Sequence, residues 1–153
     1  MMSEQHHVLS IIKNNVFYNP DALQCYSMNN EQILNVYKDI LVNRKMLYEY
    51  EDGLLFLLQP FSNYMCQIHL FSTSQTQFVT NAKKLTSKLF SKHPFLKIFG
   101  ITSNKRFIKV SHEKTGWKHE GTLTNSSLNR EGQFQDQYIL SAFKLDFLDD
   151  KSQ

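Results

Sequence analysis

The chain of 153 residues carries six histidines, two cysteines and five glycines, and the placement of these residue types decides what chemistry it can support. The histidines do not fall at ligand spacing with cysteine, aspartate or glutamate, so no metal centre is expected. Cys25 and Cys66 are too few and too scattered for a disulfide framework or a zinc cage. Any cofactor site resting on a glycine-rich loop must use Gly53, Gly100, Gly116, Gly121 or Gly132, and no glycine lies between Gly53 and Gly100. Basic side chains gather at Lys83, Lys84, Lys88 and Lys92 and again at Lys105, Arg106 and Lys109. With a net charge of only +3, from 17 basic and 14 acidic residues, these clusters read as solvated helix faces, and nucleic acid is not the expected partner.

The segment Met1-Met2-Ser3-Glu4-Gln5-His6-His7 lacks the positive region and apolar core of a signal peptide. No apolar run approaches the roughly 18–20 residues that span a bilayer. A reduced, cytoplasmic setting without a membrane partner is therefore the expectation. A chain that is 41% hydrophobic, 13% aromatic and 20% charged is not a disordered tail, and its length suits one domain over residues 1–153.

The elements that must position these residues follow from periodicity. Val8, Leu9, Ile11, Ile12 and Val16 read as one face of a helix or, over His7–Ile12, as a strand, with the helix preferred; Asn19-Pro20-Asp21 reads as a turn and a helix start. Asn29 or Asn30 caps a helix over Glu31–Val42, in which Ile33, Leu34, Tyr37, Ile40 and Leu41 recur at helical spacing. Met46–Glu51 then alternates, Asp52-Gly53 signals a two-residue hairpin, and Leu54–Leu58 is the continuous apolar run of a strand covered on both faces. A turn over Gln59-Pro60-Phe61-Ser62-Asn63 leads to Tyr64–Phe71, where Tyr64, Cys66, Ile68 and Leu70 alternate with Met65, Gln67, His69 and Phe71. Beyond the polar stretch Ser72–Gln77, the residues Phe78, Ala82, Leu85, Leu89 and Phe90 mark a helix that His93-Pro94 ends. Leu96–Thr102 reads as a buried strand. Ser103-Asn104 opens a helix with Phe107, Ile108 and Val110 inward, closed by Gly116. Trp117–Thr124 and Phe134–Phe143 are the last two strands.

Three segments stand out together: Gly100-Ile101-Thr102-Ser103-Asn104, Gly116-Trp117-Lys118-His119-Glu120-Gly121-Thr122-Leu123, and Phe134-Gln135-Asp136-Gln137-Tyr138-Ile139-Leu140-Ser141. They resemble the C-terminal half of the GNAT superfamily of acyl-CoA N-acyltransferases, with the ribosomal-protein-type acetyltransferases nearest in pattern. The upstream Gln67-Ile68-His69-Leu70-Phe71 looks most like the short GNAT-like proteins encoded by bacteriophages, and the element order fits over residues 29–145. The resemblance implies an α/β (α+β) fold, a mixed and mainly antiparallel sheet flanked by helices. It also implies a V-shaped gap between the family's fourth and fifth strands, here Tyr64–Phe71 and Leu96–Thr102. Acetyl-CoA would be the cofactor and a primary amine on a protein or small molecule the acceptor.

Residue by residue, the resemblance implies the following roles. Ser72, Thr73, Ser74, Gln75, Thr76 and Gln77 stand where the family's glycine-rich pyrophosphate loop belongs. Without glycine they are either a degenerate cofactor loop, aided by hydroxyls and the helix dipole, or an ordinary capped loop. Asn104 matches the asparagine that contacts the pantetheine arm, and it equally fits a helix N-cap. His112 lies four residues before the Gly-aromatic pair, where a tyrosine commonly acts as general acid. The interval from Asn104 to Gly116 is one residue longer than the common spacing, so a solvent-facing helix histidine is the competing reading. His69 stands where a general base is needed, its alternative being a satisfied core histidine. Cys66 alternates to the opposite face and reads as core, as does Trp117; Glu120-Gly121 and Asp136 read as shaping the last strand pair. Two functions follow. One is an acetyl-CoA-dependent N-acetyltransferase of the cytoplasm. The other is a non-catalytic GNAT-fold bacteriophage protein, virion-associated or in the host cytoplasm, with virion or host proteins as partners.

Overall fold

A computed structural model describes residues 3–15, 29–129 and 131–148. Asn19-Pro20-Asp21, Val16 and Cys25 lie outside the described residues. The element order is α1 (Glu4–Lys13), α2 (Asn30–Val42), β1 (Leu47–Glu51), β2 (Leu54–Pro60), β3 (Met65–Ser72), α3 (Gln75–Lys92), β4 (Lys97–Thr102), α4 (Lys105–Lys114), β5 (Lys118–Leu128), β6 (Phe134–Phe143) and α5 (Lys144–Phe147). The strands form one sheet in the order β1-β2-β3-β4-β6-β5. Every neighbouring pair is antiparallel except β3 and β4, which run parallel. This is the mixed, mainly antiparallel α+β sheet that the sequence resemblance implies.

The apolar run Leu54–Leu58 is the centre of both cores. Leu54, Phe56 and Leu58 point to the face covered by α3 and α4, where they meet Phe78, Leu85, Leu89, Phe90 and Trp117. Leu55 and Leu57 point to the other face, against Val8, Ile11 and Ile12 of α1 and Tyr37 and Leu41 of α2. A strand with both faces buried cannot alternate, which is why the run is uniformly apolar. Trp117 is buried, donates its indole N–H to Thr86 Oγ1 at 3.1 Å and sets its ring edge-on to Phe56.

The helix boundaries are written in side chains. Ser3 caps α1, and Asn29 forms a capping box with Gln32 at the start of α2. Gly116, with φ +82°, ends α4 in the left-handed region that glycine adopts without strain. Three boundaries differ from expectation by two residues or more. Helix α3 begins at Gln75 rather than near Phe78, because the Ser74 hydroxyl accepts the Gln77 N–H and starts the helix earlier. Strand β2 runs through Gln59 and Pro60, tolerated because β1 already ends opposite Leu58 and Pro60 needs no donor on that side. Strand β5 continues to Leu128 past a bulge between Leu123 and Ser127, where Asn125 takes φ 48° and gives its N–H to Asp136 Oδ1.

Three of the four α3 lysines, Lys84, Lys88 and Lys92, pair with carboxylates of β1 rather than forming a freely solvated face. Lys84 reaches Glu51 at 3.0 Å, while Lys92 and His93 reach Glu49 at 3.3 and 2.8 Å. The carboxylates sit on edge strand β1, so these pairs latch the long helix to the sheet margin. On the opposite face Glu4 of α1 accepts the Tyr48 hydroxyl at 2.6 Å. Burial first, and that hydrogen bond second, push the Tyr48 phenol up to about 12. At the far edge Lys97 and Ser141 both donate to Glu120, whose carboxyl they hold below its usual range. No helix among the described residues is long and apolar enough to cross a membrane.

The Asp52-Gly53 turn closes the β1–β2 hairpin, with Asp52 at φ 50°. It is also a docking point. The Gly53 carbonyl accepts the Thr73 N–H at 3.0 Å, and His7 Nε2 donates to the Asp52 carbonyl at 3.2 Å. A Cβ on residue 53 would collide with Thr73 Oγ1. Gly53→Ala is therefore expected to cost ~1–3 kcal/mol through forced repacking. Thermal denaturation should show a Tm lower by several degrees, whereas an unchanged Tm would mean that the turn does not seat on Thr73.

Candidate functional site

The site begins where the sheet opens. Strands β3 and β4 pair at Met65/Lys97, Cys66/Ile98 and Gln67/Phe99 and then part. Beyond that point β3 stays paired with β2 through Ser72, and β4 stays paired with β6 through Thr102. The inner edges of Ile68–Ser72 and Gly100–Thr102 therefore face one another without ladder hydrogen bonds between them. This is the V-shaped gap between the strands that the resemblance numbered fourth and fifth. Gly100 marks its apex, since a Cβ there would lie 3.3 Å from the Ile68 carbonyl oxygen.

Both diverging strands lead within a few residues into helix N-termini. Ser74 caps α3, and Asn104 caps α4 by accepting the Phe107 N–H at 3.2 Å. Phe78 and Phe107, each in the first turns of its helix, pack with ring centroids 4.9 Å apart at a tilt of 39° and hold the two N-termini side by side. The first N–H groups of a helix have no intrahelical partner and carry its positive dipole end. Helices α1 and α2 answer that charge with Glu4 and Glu31, but neither α3 nor α4 has an acidic residue in its first turn. Lys105 and Arg106 instead add exposed cations at the start of α4. The top of the gap thus has the electrostatics of an anion site. Acid-free first turns are readable in a sequence, and sequence reasoning missed them.

The expected loop residues do different things. Ser72 is buried at the end of β3, its hydroxyl donating to the Ser74 carbonyl at 2.8 Å. Thr73 is engaged by the Gly53 carbonyl. The Ser74 hydroxyl is occupied by the Gln77 N–H, and Gln77 Oε1 accepts from Asn81 at 2.6 Å. Gln75 and Thr76 occupy the exposed first turn. No Cβ-free approach to the backbone exists along Ser72–Gln77. Asn104 commits Oδ1 to the cap and retains its Nδ2 amide as a donor.

His69 and His112 stand on opposite faces of the sheet. His112 is exposed in the last turn of α4, and one residue earlier Ser111 is buried, its hydroxyl without a partner among the described residues. His69 pairs across with Leu57, so it shares the face covered by α1 and α2. Its Nε2 lies 2.9 Å from Gln59 Oε1. Donation to that oxygen leaves Nδ1 with a lone pair. Burial lowers its pKa from the ordinary 6.5. The side chain lines a cleft of about 470 Å³ whose other walls include Tyr37, Ile40, Arg44, Lys45 and Gln59, none of them recognisable from the sequence as a site residue. Cys66, buried on the opposite face with its thiol pushed up to about 12 by burial, is core. No group of three or more His, Cys, Asp or Glu side chains among the described residues is placed to hold a metal ion.

A mixed sheet opened between two parallel strands, each leading into a helix N-terminus, is the GNAT fold of the acyl-CoA N-acyltransferases. Solved structures with this architecture include three that cover most of the chain. Ribosomal-protein-alanine N-acetyltransferase from Brucella melitensis superposes with a TM-score of 0.56 at 13% identity, covering 94% of this chain and 96% of its own. A mutant of spermidine N-acetyltransferase from Vibrio cholerae gives 0.59 at 13% identity, covering 99% and 95%. The microcin C7 self-immunity acetyltransferase, in complex with acetyl-CoA and AMP, gives 0.55 at 13% identity, covering 94% and 88%. At such identities the likeness is one of fold. No protein-family model matches the sequence, and no curated protein sequence matches it.

The His69 environment makes a direct prediction. In the unfolded chain the imidazole takes up its proton near 6.5, before the folded one does. Stability therefore falls as pH drops from 6.5 toward the lowered folded value, and no penalty remains above 6.5. NMR titration should find His69 protonating below the ordinary range, and His69→Gln should flatten this part of the acid slope. A His69 midpoint at or above 6.5 would contradict the buried environment.

Proposed function

We propose that the chain is an acyl-CoA-dependent N-acyltransferase of the cytoplasm, with acetyl-CoA as donor and a primary amine on a protein or small molecule as acceptor. The observation that carries this reading is the parting of β3 and β4 after Gln67 and Phe99 beneath the paired N-termini of α3 and α4. The residues suit an elongated anionic cofactor with amide groups along its length. The open edges of Ile68–Ser72 and Gly100–Thr102 would bind the amide-bearing arm as a strand binds its neighbour, with Asn104 Nδ2 beside them. The N–H groups of Gln75 and Thr76, with Lys105 and Arg106, would take the phosphates. Ser72, Thr73 and Ser74 hold the loop in shape, and Gln77 has its N–H already engaged. The grip on the phosphates is therefore weaker than that of a glycine-rich loop.

Bound acetyl-CoA supplies a thioester-activated acyl group for transfer to an amine. The chain must then bind the amine and take a proton from its ammonium form. His69 suits that proton transfer. It stands at the gap, faces the cleft, is neutral at physiological pH, and has Nδ1 available once Nε2 is held by Gln59. His112, on the outer side of α4, has no part in this reading.

A second reading, a non-catalytic GNAT-fold bacteriophage protein contacting virion or host proteins, is favoured by one observation. The Ser74 hydroxyl already fills a helix N–H that a phosphate oxygen would otherwise take. Coenzyme A distinguishes the two. At about a hundred times its Kd it should stabilise the protein by ~2.7 kcal/mol, which for a chain of this size raises Tm by ~5–11 °C. His69→Ala should keep that shift and lower kcat by ~10²–10⁴. No shift at millimolar coenzyme A would sink the enzyme and leave the scaffold.

A further inference from the structure

Resting on the transferase reading, the cleft beside His69 says what kind of amine it takes. We infer that the acceptor has an apolar body and carries a carboxylate, and that polyamines are excluded. The cleft has an apolar wall of Ile40, Met46, Leu47 and Leu58, and two cations, Arg44 and Lys45, also line it. No aspartate or glutamate is among its lining residues. Asp39, the carboxylate nearest in the ion-pair pattern, holds Arg44 Nε at 3.4 Å, but both side chains are largely exposed and the pair is screened. Lys45 has no carboxylate within 4 Å among the described residues, and its φ of 52° fixes it in an unusual backbone conformation at the link from α2 to β1.

This charge pattern sorts substrates. A polyamine brings a cation at each end and would meet two more with no anion to offset them. A carboxylate meets the guanidinium and ammonium that such a group pairs with. The apolar wall then covers a hydrocarbon or aromatic body, and Gln59 and His69 provide the polar side of the same cleft. Thus, although the fold is shared with a spermidine N-acetyltransferase, the cleft in this chain disfavours a polyamine.

The test titrates the intact protein with L-phenylalanine, with 2-phenylethylamine (the same amine without its carboxylate) and with spermidine, followed by calorimetry and by NMR shifts of the cleft residues. L-Phenylalanine should bind about tenfold or more tighter than 2-phenylethylamine, as one charge-assisted contact allows. Spermidine should show no saturable binding, and Lys45→Glu should reverse the order of the two aromatic amines. Arg44 and Lys45 follow the C-terminus of α2, and they could instead serve only to neutralise that negative helix end. In that case L-phenylalanine and 2-phenylethylamine bind alike, and the inference fails. It fails equally if spermidine binds best or if neither aromatic amine binds. A parallel coenzyme A titration separates the two levels. Coenzyme A binding without L-phenylalanine binding overturns this inference alone; L-phenylalanine binding without coenzyme A binding supports the cleft chemistry and overturns the transferase reading.

Discussion

Three residue pairs join the two halves of the sheet. On one side β1, β2 and β3 form an antiparallel meander, and on the other β6 lies antiparallel between β4 and β5. Met65/Lys97, Cys66/Ile98 and Gln67/Phe99 bridge them by backbone, joined at the entrance by the Leu96 and Lys97 N–H groups on the Tyr64 carbonyl. A parallel seam this short leaves the halves free to diverge, so cohesion must come from packing. It does: Cys66, Ile68 and Ile98 lie in one apolar cluster with α3 and Trp117, which spans the opening on one face. The gap is thus an opening in the hydrogen bonding over a continuous core.

Charge is distributed to the same plan. The long helix α3 carries its cations toward β1, where Glu49 and Glu51 receive them, and keeps its N-terminal turn free of acids. Helix α4 repeats the acid-free first turn and adds Lys105 and Arg106. A modest net charge therefore conceals a neutralised margin at β1 and a positive region above the gap. Whole-chain charge says little about either.

The sequence made the architecture legible wherever periodicity and punctuation agreed. Leu54–Leu58 announced a strand buried on both faces, Asp52-Gly53 its hairpin, and Gly116 the end of α4, because each depends on local sterics or on burial alone. The site was legible only in part. The strand gap followed from the GNAT resemblance, and the face of β3 that His69 takes followed from alternation. The roles of Ser72–Gln77 did not, since Ser74 can cap a helix or line a loop and only its contact with the Gln77 N–H decides. His112 illustrates a second limit. Neighbouring residues of a helix point about 100° apart, so packing alone decides whether residue 111 or 112 turns inward, and Ser111 is the buried one. The cleft cations were unreadable for a third reason: Arg44 and Lys45 acquire meaning only when folding sets them across from Gln59 and His69, residues distant in the chain.

The seat of Gly53 against Thr73 has a consequence for how this chain can change over time. The space that a side chain at residue 53 needs is held by Thr73 Oγ1. The two positions are therefore not independent. Replacing Gly53 by alanine costs less once Thr73 has lost its hydroxyl, for example to alanine, with only the flexible Gln77 side chain left to give way; taken in the reverse order, the same two substitutions pass through a more strained intermediate. The hairpin turn and the entrance to α3, widely separated in sequence, thus constrain each other's history.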